Sequence, residues 1–183
     1  ARGRDVHVLD DLSRVGSEDR LEGLLALHSG PQVQFHRGDV VLREDVEAAF
    51  AAGPFAAVYH LAAQVAVTWS MEDPHRDFLV NALGSFHVAD AVRRRSPGAR
   101  AVFMSSNKVY GALEDLVPVA DGERLALGGL PGGIGVDRAL DPETPYGVSK
   151  ATGEQCFRDL ARTFGLETVV LRASCIYGPR QSQ

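Results

Sequence analysis

Three side chains frame the chemistry open to this sequence. Ser106 stands in the run Ser105-Ser106-Asn107-Lys108-Val109-Tyr110-Gly111, and Tyr146 and Lys150 follow within Pro142 to Lys150. They supply a hydroxyl donor, a phenol that can act as a base, and a cation that can lower the phenol pKa from its free value of about 10. Such a set suits alcohol oxidation. Tyr146 and Lys150 are four positions apart, so a helix would place them on one face a turn from each other. Tyr-x-x-x-Lys alone also arises by chance on amphipathic helices. A serine pair at a strand end, a helix start at Thr144-Pro145 and the run Ser174-Cys175-Ile176-Tyr177-Gly178-Pro179 make a joint accident a poor explanation.

Short apolar runs rich in Val, Leu, Phe and Tyr alternate with longer helical patterns, as expected for a parallel sheet with crossover helices, so the predicted class is α/β. Val6 to Leu9 reads as a strand running into Asp10-Asp11, and Ser17 as the N-cap of a helix carrying Leu21, Leu24, Leu25 and Leu27. Val33 to Phe35 and Ala56 to Leu61 read as strands, with a helical face at Val46, Ala49 and Phe50 between them. Asp73-Pro74 has the form of an N-cap and first-turn proline opening a long helix through Val92, ended by Pro97-Gly98. Arg100 to Met104 predicts a buried strand that delivers Ser105 and Ser106 at its carboxyl end, where open α/β sheets place ligands. Thr144-Pro145 caps a helix to about Phe164, and Glu167 to Arg172 is a further strand. The Gly/Pro-punctuated stretch from Leu113 to Pro142 shows little periodicity and reads as a substrate-facing loop.

With 45% hydrophobic and 23% charged residues, the 183-residue chain has the material for one sizeable core. Its net charge of -5 argues against nucleic acid or an anionic membrane surface as partner, since both require a basic field. No run approaches the roughly 18 consecutive apolar residues of a membrane span. Cys156 and Cys175 lack the spacing of a disulfide framework or zinc site, so a reducing cytoplasm fits. No metal is expected, because His60 shows no ligand spacing with His7, His28, His36, His75 or His87 and reads as a core or strand-end residue.

Two textual matches fail physically. Gly129 to Gly135 satisfies Gly-x-x-Gly-x-x-Gly, but no strand is expected before it and no helix at its end to receive a pyrophosphate. Ser105 to Lys108 satisfies Ser-x-x-Lys, yet its Ser-Asp-Asn and Lys-Thr-Gly companions are missing.

On the motifs Ser106-x-x-x-Tyr110-Gly111 and Tyr146-Gly147-Val148-Ser149-Lys150, the chain resembles, over essentially its whole length, the extended short-chain dehydrogenases/reductases of the nucleotide-sugar epimerase and dehydratase family. The resemblance implies a doubly wound, Rossmann-like sheet and NAD as cofactor. Ser106 would hydrogen-bond the reacting oxygen, and Tyr146 would take the hydroxyl proton as hydride leaves for the nicotinamide. Lys150 would hold the nicotinamide ribose and depress the tyrosine pKa. Asp10 would accept from the adenine ribose and repel a 2′-phosphate, favouring NAD over NADP, although Arg14 could offset that repulsion. Asp39 would meet the adenine edge, though Gly38-Asp39 is equally a common turn. Leu61, Ala62 and Ala63 would line the pyrophosphate and nicotinamide ribose, with Asn81 near the same strand ends.

The family's glycine fingerprint after its first strand is absent. Residues 1–183 are therefore expected to be one NAD-binding domain incomplete at both ends, lacking the first strand and the C-terminal substrate domain. Sugar 4,6-dehydratases of the family carry Asp-Glu where this chain has Asn107-Lys108; an amide and an ammonium cannot supply the acid and base of an elimination. Reversible oxidation remains. Leu9 to Arg14, Ser106 to Gly111 and Ser174 to Gln181 are similar to the CDP-paratose and CDP-tyvelose 2-epimerases. The reading is a nucleotide-sugar epimerase acting at C2 of a CDP-sugar. A 4-epimerase, a dehydrogenase and a non-catalytic dinucleotide-binding protein stand as alternatives. The helices at Pro74 and Pro145 resemble those that pair in dimeric relatives, so a homodimer is expected.

Overall fold

A computed structural model describes residues 3–27, 32–130 and 132–178. His28, Pro131 and the Pro179-Arg180-Gln181 run named above lie outside the described residues. In chain order the elements are β1 (Val6–Asp10), α1 (Ser17–Leu27), β2 (Val33–Arg37), α2 (Arg43–Phe50), β3 (Ala57–His60), α3 (Val67–Glu72) and α4 (Pro74–Phe78). A π-helical segment (Leu79–Leu83) leads into α5 (Gly84–Arg95), β4 (Arg100–Ser106) and a 3-10 turn (Asn107–Tyr110). The hairpin β5 (Pro118–Asp121) and β6 (Arg124–Leu127), α6 (Pro145–Phe164) and β7 (Thr168–Ala173) complete it.

The α/β expectation holds. β1 and β2 pair in parallel, and β3, β4 and β7 form a second parallel sheet in that order, with Phe103 between His60 and Val170. These correspond to strands 3-2 and 4-5-6 of the doubly wound order 3-2-1-4-5-6. Among the described residues no strand joins β1 to β3.

The core lies on one face of the β3-β4-β7 sheet, where Ala101 and Phe103 of β4 meet Val88 and Val92 of α5 and Phe157 and Leu160 of α6. Phe103 and Phe157 stack with ring centroids 4.9 Å apart. Gly153 lets α6 sit this close: a Cβ there would lie 2.6 Å from the Asn81 carbonyl oxygen and 3.0 Å from Phe103 Cζ. The alternate residues Tyr59, Val169 and Leu171 are exposed, so the opposite face of this sheet lies open among the described residues.

Four local expectations are corrected. Ser17 is the first residue of α1 and not its cap. The helix expected from Pro74 to Val92 carries a π-helical stretch, and just after it the Ser85 hydroxyl of α5 donates back to the Asn81 carbonyl oxygen at 2.6 Å. The stretch from Leu113 to Pro142 contains the β5-β6 hairpin, which sequence periodicity missed because β5 is exposed on both faces. β6 also places a strand before Gly129, but a hairpin strand, and the next helix begins only at Pro145, so no phosphate-binding turn results. The short helix α3 was not anticipated; no side chain caps it.

Candidate active site

β4 carries Ser105 and Ser106 to its carboxyl end, where the chain turns into a 3-10 segment capped by Ser106 itself: its Oγ accepts from the Lys108 backbone N-H at 3.2 Å. The turn is closed by Gly111, whose φ of +73° and a would-be Cβ 2.1 Å from the Asp141 carbonyl oxygen exclude a side chain. Thr144 caps α6 by accepting from the Gly147 N-H at 3.1 Å, and Pro145 starts the helix. Tyr146 thereby enters in the first turn and Lys150 one turn later. The structure brings Ser106, Tyr146 and Lys150 together: all three are buried and line one open cavity of about 730 Å³. Leu61, Ala63, Asn107, Lys108, Ser174 and Cys175 share its wall, and Arg14 and Arg20 reach it from the α1 side.

Burial dominates the electrostatics. Desolvation pushes the Tyr146 phenol above its ordinary value; the Ser106 hydroxyl, as hydrogen-bond partner, opposes this, and the negative charge of Asp77 adds to it. Lys150 is itself desolvated, which lowers its ammonium to about 8 against the attraction of Asp77. Its Nζ sits 4.6 Å from the centre of the Phe103 ring and has no carboxylate within salt-bridge distance among the described residues. Burial and repulsion from Lys150 lower His60 to about 3, so this residue is a neutral core histidine as expected, its Nε2 3.0 Å from Ser85 Oγ.

Asp10 ends β1 at the surface; one carboxylate oxygen accepts from the Leu12 N-H at 2.8 Å. Asp39 follows β2, held beside the β1 end by the Gly38 N-H to Asp10 carbonyl bond of 3.2 Å. Its Oδ1 accepts from the Val41 N-H at 2.9 Å, as a turn residue would, while its Oδ2 is paired with Arg76 at 2.7 Å. Ala62 packs on the core beside the cavity-lining Leu61 and Ala63. Asn81 is fully buried and clamps Gln64, accepting from its N-H and donating to its carbonyl, both at 3.0 Å.

This arrangement, with a hydroxyl, a phenol and an ammonium around one cavity at the carboxyl ends of parallel strands, agrees with the comparisons to known proteins. The NAD dependent epimerase/dehydratase family matches over residues 1–183. The chain belongs to that family. A CDP-paratose 2-epimerase from Salmonella typhi is 37% identical over 181 residues, 99% of this chain and 53% of its own length. A UDP-glucose 4-epimerase from Mycolicibacterium smegmatis is 29% identical over 183 residues, 99% of this chain and 51% of its own length. Among solved structures, a Thermus thermophilus UDP-glucose 4-epimerase in complex with NAD superimposes with a TM-score of 0.75 at 34% identity, covering 99% of this chain and 50% of that one. The chain thus spans about half the length of the curated relatives it matches.

NAD is the cofactor of this epimerase/dehydratase family, and the residues present fit it. The Lys150 ammonium faces the cavity without a contacting carboxylate, the cavity wall after β3 is built from the small Ala63 beside Leu61, and Asp10 offers a surface carboxylate at a strand end. The chemistry of that donor set suits a diol-rich dinucleotide.

Three features escaped sequence reasoning. Asp77, fully buried, accepts from the Asn81 side-chain amide at 3.1 Å and from the Ser149 hydroxyl. Its four-residue spacing to Asn81 on a predicted helix was the available signal. Arg76 bridges Asp39 and Asp11, with nothing in the linear sequence to connect them. Buried Glu154 accepts from Ser105 Oγ at 3.0 Å and from Arg172 at 2.6 Å, and Arg172 donates on to Tyr110 OH at 2.8 Å and the Val136 carbonyl at 3.1 Å, tying strand end, helix and loop together.

Proposed function

We propose that the protein is an NAD-dependent nucleotide-sugar epimerase, and within that class a CDP-sugar 2-epimerase. The observation that carries the reading is the convergence of Ser106, Tyr146 and Lys150 on one cavity wall that also presents Asn107 and Lys108. Ser106 holds the sugar oxygen that reacts. Tyr146 removes its proton, and returns it when the keto sugar has turned its other face. Lys150 binds the cofactor ribose and supplies the positive charge beside the phenol, with Asp10, Asp39, Leu61, Ala62, Ala63 and Asn81 as the remaining cofactor-side residues. NAD, when bound, supplies the hydride acceptor and a cationic ring that favours the phenolate.

Asn107 and Lys108 cannot replace the acid and base pair of carboxyl groups that a dehydration uses, which favours epimerisation over elimination. The 37% identity to a CDP-paratose 2-epimerase supports the 2-epimerase reading, and the 34% identity to the Thermus UDP-glucose 4-epimerase supports a 4-epimerase as the second. We further place the protein in the cytoplasm as a homodimer. Exposed Phe78 and Phe86 on the Pro74 helix and exposed Val148 on the Pro145 helix are consistent with pairing of those helices; sedimentation of the full-length protein as a monomer at micromolar concentration would remove the dimer.

Incubating full-length protein with CDP-, UDP- and dTDP-sugars and following products by NMR tests the function. Formation of the C2 epimer at constant NADH is expected. Stoichiometric NADH would make it a dehydrogenase, and binding without product would make it a non-catalytic dinucleotide-binding protein.

A further inference from the structure

Asp77 and Lys150 are two buried opposite charges, neither of which forms an ion pair among the described residues. Asp77 is 0% exposed and Lys150 3%, and neither has an ion-pair partner within 4.0 Å among the described residues. A buried carboxylate in that state is costly unless hydrogen bonds and a nearby cation compensate it. Hydrogen bonds are supplied from two sides. Asn81, locked on the Gln64 backbone, donates to Oδ1, and Ser149, the residue before Lys150, donates to Oδ2. Because Ser149 has one hydroxyl hydrogen, the charged Asp77 is the acceptor it serves over the Tyr146 carbonyl at 3.1 Å. Asp77 is thus seated against the stretch of α6 that carries both Tyr146 and Lys150.

We propose that Asp77 is a positioning residue for Lys150: a carboxylate presented by α4, braced by Asn81 and Ser149, whose negative charge keeps the Lys150 ammonium protonated in the cavity. The other groups around Lys150 cannot do this. His60 from β3 is neutral, β4 presents the Phe103 ring and Ser105, and Glu154 of α6 is committed to Arg172 of β7. Lys108 of the 3-10 turn has the wrong sign, Glu72 of α3 and His75 of α4 are exposed, and Asp90 of α5 is taken by Arg93 and Arg94. Electrostatic coupling agrees: Asp77 raises the pKa of Lys150, and Lys150 lowers that of Asp77, each against desolvation.

The inference rests on Lys150 being an active-site group, so its test reads charge directly as well as activity. Full-length protein labelled with ε-13C-lysine is titrated by NMR, the Lys150 signal being assigned with Lys150→Arg. In Asp77→Asn the Lys150 midpoint is expected to fall by about one pH unit or more below the parent's. The high-pH limb of turnover is expected to move down with it. Ser149→Ala, which keeps the carboxylate, should retain most of the parent midpoint. If Asp77→Asn does not fold, the reciprocal measurement decides: the Asp77 carboxyl midpoint should rise in Lys150→Met. Unchanged midpoints in both experiments overturn the proposal, whereas coupled midpoints in a protein with no turnover would instead overturn the enzymatic reading.

Discussion

Replacing His60 tests how far burial governs this site. The imidazole is 4% exposed, flanked by Phe103 and Phe157 with ring centroids 5.7 and 5.8 Å away. The Ser85 hydroxyl hydrogen is committed to the Asn81 carbonyl, so His60 Nε2-H donates to Ser85 Oγ, and the ring is held neutral. Its pKa falls from 6.5 to about 3 on folding. The unfolded chain therefore binds the extra proton first. The stability linked to His60 is complete above pH 6.5, declines as pH drops through the window from 6.5 to about 3, and is lost below it. At about 1.36 kcal/mol per unit, the 1.5 units between 6.5 and pH 5 correspond to about 2 kcal/mol, and the whole 3.5-unit shift to roughly 5 kcal/mol. Urea unfolding of the full-length protein at pH 8, 6 and 5 measures this, with His60→Gln alongside. The parent should lose about 2 kcal/mol more than the variant between pH 8 and 5. Taking the difference cancels groups common to both, including Asp77, whose raised pKa works in the opposite sense. Parallel pH dependences would refute the claim that the buried ring resists protonation.

Glu154→Gln leaves the Arg172 guanidinium, 11% exposed, without its counter-ion and should cost about 3–5 kcal/mol in the same urea assay. Glu154→Met with Arg172→Met should recover most of that, and a single-variant loss below about 1 kcal/mol would show that the charges do not hold the strand end. Gly153→Ala drives a methyl against the Asn81 carbonyl and should destabilise by about 1–3 kcal/mol in thermal unfolding, with a neutral result contradicting the close approach of α6. Tyr146→Phe should retain NAD, measured by calorimetry, while turnover falls on the order of a hundredfold or more; undiminished turnover would take the phenol out of the mechanism.

Much of this architecture was legible because its signals are local. Asp73-Pro74 and Thr144-Pro145 cap helices as their side chains dictate, through bonds of 2.9 Å to the Arg76 N-H and 3.1 Å to the Gly147 N-H. The apolar strands read directly, and Ser105-Ser106 sits at a strand end as anticipated. The π-helical stretch was not legible, since it depends on which partner Asn81 and Ser85 find in space. Neither was the β5-β6 hairpin, whose exposed strands leave no alternating pattern to read.

The amino-acid sequence by itself determined the α/β class and the Ser106, Tyr146 and Lys150 set, because helix caps, strand periodicity and a four-residue helical spacing are properties of neighbouring residues. Tertiary structure alone decided the electrostatics of that set. It joined Asp77 to Ser149 across 72 positions and Glu154 to Arg172 across two elements. It also desolvated Tyr146 and Lys150 together, so that burial and not their spacing governs their ionisation. The physical reason is that desolvation and Coulomb attraction depend on distance in space and on the medium between charges, and neither is encoded by separation along the chain.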